Sequence, residues 1–96
     1  MDVYQLTDDI PLSFSRIHNG QRVSGLTVTV SVINAKTGAT LLASTSCPEV
    51  SSLGIYTKVW THGLNGDTEC MVTYNVNGTP YTEFILITND TGSRIV

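Results

Sequence analysis

The side chains able to do chemistry are few. His18 lies three residues from Ser15, and His62 follows Thr61. Acyl transfer needs a nucleophile within hydrogen-bond reach of a base. The strand-to-helix nucleophile elbow, GxSxG, is absent, so both histidines read as exposed loop residues. Cys47 or Cys70 could meet His62 only through the fold, because no local motif marks such a pair. The two cysteines admit two readings. One is a single disulfide, whose loop closure adds about 3 kcal/mol in the chain-entropy picture. The other is two small apolar thiols in a reducing compartment. Neither CxxC nor HxxxH spacing occurs, so no zinc site is expected.

The carboxylates Asp8, Asp9, Asp67, Glu69 and Asp90 could pair for acid–base work or gather round calcium. Calcium asks for about six to eight converging oxygens. The run Asn65-Gly66-Asp67-Thr68-Glu69 offers three candidates, which read as solvated turn residues. Glycine-rich phosphate cradles are missing, both GxGxxG and GxxxxGK[ST]. Tyr56, Trp60, Tyr74 and Tyr81 could stack on a sugar, fill a core or line a protein interface. The expectation is a chain with no catalytic residues, no metal ligands and no cofactor.

The elements that would carry these residues are strands. The chain has 96 residues, 41% hydrophobic and 14% charged, which suits one small domain with a thin core. Thr, Val and Ile supply 31 residues, whereas Ala, Glu and Lys supply eight. The first set favours extended backbone and the second favours helix. Five Lys plus Arg face eight Asp plus Glu, for a net charge of −3. Arg16, Arg22, Lys36, Lys58 and Arg94 stand singly. Nucleic acid and anionic membrane are therefore poor partners, since both need clustered cations. Purely apolar runs reach only three or four residues, as in Phe84-Ile85-Leu86-Ile87, far short of the roughly 20 a spanning helix needs. The opening Met1-Asp2-Val3-Tyr4-Gln5 lacks the basic-then-apolar pattern of a secretory signal, so synthesis and folding in a cytoplasm are expected.

Gly and Pro divide the chain into short β-rich pieces. In residues 25–33, Leu26, Val28, Val30 and Val32 alternate with Thr27, Thr29 and Ser31, the period of a strand with one dry face. Asn34-Ala35-Lys36-Thr37-Gly38 is a turn, and residues 40–46 return. Pro48 makes residues 47–52 a loop. Residues 55–61 form a strand of ambiguous facing: either Ile55, Thr57 and Val59 or Tyr56, Lys58 and Trp60 point inward. Residues 68–76 place Cys70, Val72, Tyr74 and Val76 on one face. Asn77-Gly78 is a two-residue hairpin signal. Residues 81–88 follow, apolar on both faces from Phe84 to Ile87, which suggests cover on both sides. Residues 2–6 and 12–17 complete about seven strands. That count and spacing predict an all-β, immunoglobulin-like antiparallel sandwich, one domain over 1–96 with flexible ends at about 1–10 and 89–96. Those ends could add a strand to a neighbour.

The order Gly25-Leu26-Thr27-Val28-Thr29-Val30, then Lys36-Thr37-Gly38, then Gly54-Ile55-Tyr56-Thr57-Lys58-Val59-Trp60, then a strand before Asn77-Gly78, resembles the small immunoglobulin-like modules of tailed-phage virion proteins. These include head-decoration, neck, baseplate and fibre-attachment components. The resemblance runs from about residue 25 to 87. The G-x-Y strand and T-G turn are also similar to those of bacterial surface and macroglobulin-type sandwich domains. Where the phage modules carry an aromatic near the start of the strand after Asp67, this chain has Cys70. The resemblance implies a non-catalytic structural role in the virion. The implied partners are other virion proteins of head, neck or tail, or further copies of the chain. A carbohydrate- or surface-binding sandwich module is the alternative, with a sugar as ligand.

Overall fold

A computed structural model describes residues 2–88, and every element is a strand. In chain order they are β1 (Asp2–Gln5), β2 (Ile10–Ser15), β3 (Ile17–His18), β4 (Gln21–Arg22), β5 (Val28–Asn34), β6 (Thr40–Ser46), β7 (Ile55–Trp60), β8 (Thr68–Val76) and β9 (Thr79–Thr88). Five of them form one sheet in the order β1-β9-β8-β5-β6. β2 and β7 form a second, two-stranded sheet, and β3 with β4 a small ladder.

One core joins the two main sheets. Val28, Val30 and Val32 of β5, Cys70, Val72, Tyr74 and Val76 of β8, and Ile85 and Ile87 of β9 meet Ile10 and Leu12 of β2 and Tyr56 and Trp60 of β7. The alternation read in β5 and β8 is therefore the inward face. In β7 the aromatic set points inward. Tyr56 is fully buried because its hydroxyl is satisfied there: it donates to the Val23 carbonyl at 2.8 Å and accepts from the Leu26 amide at 3.0 Å. Lys58, on the same face, is half-buried, and its charge partly offsets the burial that raises the Cys47 pKa.

The N-terminal third departs most from expectation. It holds four strands, and residues 2–5, in the stretch read as a loose end, pair in parallel with β9 from Asp2–Ile85 to Gln5–Thr88. Ile10 is fully buried. The described residues hold nine strands where about seven were expected for the chain. The sheets are unequal, five strands facing two, and one pairing is parallel. Residues 89–96, read as the second loose end, lie outside the described residues. β9 also differs from its reading. Ile85 and Ile87 are buried, but Phe84 is 46% exposed, because the outer side of the five-stranded sheet has no layer over it among the described residues.

Candidate functional site

The residues first considered for chemistry do not converge. His18 is exposed on β3. His62 is a correction to the sequence reading: it is half-buried, with its ring edge-on to Trp60 at 5.7 Å. Its Nδ1 accepts the Leu64 amide at 3.2 Å, and its Nε2 is buried without a hydrogen-bond partner among the described residues. Cys47 and Cys70 are free and buried. Burial pushes both thiols up to about 11, so neither is a thiolate nucleophile near neutral pH. Asp8 closes a turn by accepting the Gln5 amide at 2.9 Å. Asp67 accepts the Thr88 hydroxyl at 3.0 Å. Among the described residues no group of three His, Cys, Asp or Glu side chains is placed to hold a metal. Asp90 and Arg94 lie outside them.

The four aromatics do not make an exposed platform. Tyr56, Trp60 and Tyr74 are in the core, and only Tyr81 is exposed. Phe14 links three of them, with ring centroids 5.4 Å from Tyr81, 5.6 Å from Tyr74 and 6.5 Å from Tyr56. Arg16 covers the outer end, donating to the Tyr81 hydroxyl at 3.1 Å.

What the fold does build is a braced loop between β6 and β7. Ser51 and Ser52 hold φ of 47° and 58°, a left-handed backbone that costs a non-glycine residue about 1–2 kcal/mol. Gly54 follows at φ 73°, and a Cβ there would lie 2.7 Å from the Cβ of Arg22, so the loop packs tightly against β4. Glu49 fastens the whole. Its carboxylate accepts the Ser24 hydroxyl at 2.6 Å, the Gly25 amide at 3.1 Å and the Gly54 amide at 2.8 Å. Those three donors, Ser24 first, hold its pKa below the ordinary glutamate value. Backbone bonds from Val50 N to Ile55 O at 2.7 Å and from Thr57 N to Pro48 O at 3.0 Å close the loop's base.

This costly conformation displays apolar side chains. Leu53 is 58% exposed and Val50 is exposed beside it, while Ile17 is exposed on the ladder against which the loop packs. A second apolar area lies on the outer face of the five-stranded sheet. There Val3 pairs with Leu86, and Phe84 with Met71 and then Ile33 across the sheet. Pro48 marked residues 47–52 as a loop in the sequence, but nothing there singled out Val50 or Leu53 as exposed apolar side chains. The brace was not visible either, because two of its three donors are 24 and 25 residues away from Glu49. Searches with the chain match no family model, no curated protein and no solved structure.

Proposed function

We propose that this domain is a non-catalytic structural module of a tailed-phage virion, made in the host cytoplasm and seated in head, neck or tail through protein–protein contacts. The observation that carries the contact role is the braced loop. Backbone strain persists only where surrounding structure over-determines it, and strained segments concentrate at binding sites. Here the strain and the three hydrogen bonds to Glu49 hold Val50 and Leu53 toward solvent. An apolar tip on a rigid support suits an anchor that enters a pocket on a neighbour without an ordering cost on binding. The virion setting rests on the likeness of residues 25–87 to phage modules.

The test is cosedimentation of the protein with purified phage capsids and tails, run beside a Val50→Ser/Leu53→Ser double variant. The expected result is binding by the natural chain and at least a tenfold loss by the variant, with the melting temperature little changed because both side chains are exposed. A natural chain that stays monomeric by light scattering and binds no virion component overturns the reading.

A further inference from the structure

β9 is a ten-residue strand with uneven neighbours. β8 pairs with all of it but Thr88, from Val76–Thr79 to Thr68–Ile87. On the other side β1 covers only Ile85 to Thr88. Residues 79–84 therefore have no strand on that side among the described residues, and all six are exposed. Thr88 turns its carbonyl to this side, where it accepts the Leu6 amide at 2.9 Å. Alternation along a strand then aims the N–H and C=O of Thr82 and the N–H of Phe84 at the open side, the Phe84 carbonyl facing the Asp2 amide at the first rung of the β1 ladder. Pro80 shares that parity and has no N–H, which blunts the far end. The opposite rim of the sheet is less receptive. β6 is bulged twice against β5, a device that twists an edge away from new partners.

Beside this open edge is a cavity of about 450 Å³ lined by Asp2, Glu69, Glu83 and Phe84. Two of the acidic groups crowd one another: burial first, and then the Asp2 charge, raise the Glu83 pKa. The edge thus combines backbone without a partner strand among the described residues, an aromatic ring and the paired carboxylates of Asp2 and Glu83. We infer that the open edge of β9 beside the start of β1 accepts an extended, lysine- or arginine-bearing segment of a neighbouring polypeptide, which adds as a strand along Thr82 and Phe84 and sets its cation beside Asp2 and Glu83. Main-chain bonds supply the grip and the alternate side chains the selectivity. Charge complementarity sets register and on-rate. The inference rests on the assembly reading and names the chemistry of one partner, at a surface separate from the braced loop.

The experiment is a titration of the full ¹⁵N-labelled chain, followed by amide shifts, with the peptide Thr-Val-Lys-Val-Thr and two relatives. One relative replaces Lys by Gln, and the other methylates the backbone nitrogens. Expected are shifts centred on Thr82 and Phe84, at least fivefold tighter binding of the Lys peptide than of the Gln peptide, and no binding of the methylated one. Glu83→Gln should abolish the Lys preference; it relieves a crowded carboxylate, so the variant folds. Equal binding of Lys and Gln peptides, shifts elsewhere, or silence throughout overturns the inference. So does binding that appears only after removal of residues 89–96, which assigns the edge to the chain's own tail. A silent edge in a protein whose Val50 and Leu53 still direct particle binding overturns this inference alone and leaves the assembly reading standing.

Discussion

Glu49 shows how one side chain sets a surface. Three donors from two segments converge on its carboxylate, so ionisation is favoured in the folded chain and its pKa falls below 4.5. A depressed folded pKa contributes stability above the unfolded value, and that contribution is lost as pH falls through the folded one. The natural chain should therefore melt higher than Glu49→Gln at neutral pH. The gap should shrink as pH drops below 4.5, measured by thermal unfolding across pH 3–7. Glu83 has the opposite sign. Its pKa is raised by burial and by Asp2, so its contribution is present below the unfolded value and is lost as pH rises through the folded one. Glu49 stood in the sequence as an ordinary loop carboxylate. Its importance depends on Ser24 and Gly25, which only the fold brings near. His62 was equally illegible, since its burial comes from Trp60 and the turn at Leu64.

At the scale of elements, alternation was the informative signal wherever one face is dry. The predicted spans 40–46 and 68–76 coincide with β6 and β8, and β5 buries Val28, Val30 and Val32 as its pattern requires. Val30→Asp should unfold the domain or lower its stability by about 4 kcal/mol or more, because it buries a charge with no partner. Thr29→Asp, on the outer face, should cost about 1 kcal/mol or less. Denaturant unfolding of the two variants checks this, and equal losses would contradict the facing. Alternation could not decide β7, where both faces carry apolar atoms; the hydroxyl partners of Tyr56 decide it. The β3–β4 ladder was missed although it turns on Asn19-Gly20, the same dipeptide as Asn77-Gly78. Both pairs have positive φ, 52° and 78° in the first and 49° and 91° in the second, as the tight hairpin turn demands. Two-residue arms leave no periodicity to notice.

For the whole molecule, the unequal layers grade the stability. β5 and β8 lie inside the five-stranded sheet and carry seven core side chains between them, so their amides should exchange slowest with solvent deuterium. The amides of Thr82 and Phe84, aimed at the open side, should exchange much faster than those of Ile85 and Ile87, which pair with β8; hydrogen exchange followed by NMR reads both. That all-β layering was legible because Val, Ile and Thr dominate and glycine punctuates. The imbalance of five strands against two was not, since pairing partners far apart leave no local trace. The parallel docking of β1 on β9 has a kinetic consequence. Asp2 meets Ile85 across nearly the full length of the chain, and such distant pairings must close a long loop before they gain anything. Refolding should therefore be slow for the domain's size, on the order of milliseconds to seconds, with β1 the last strand to arrive and the first to leave.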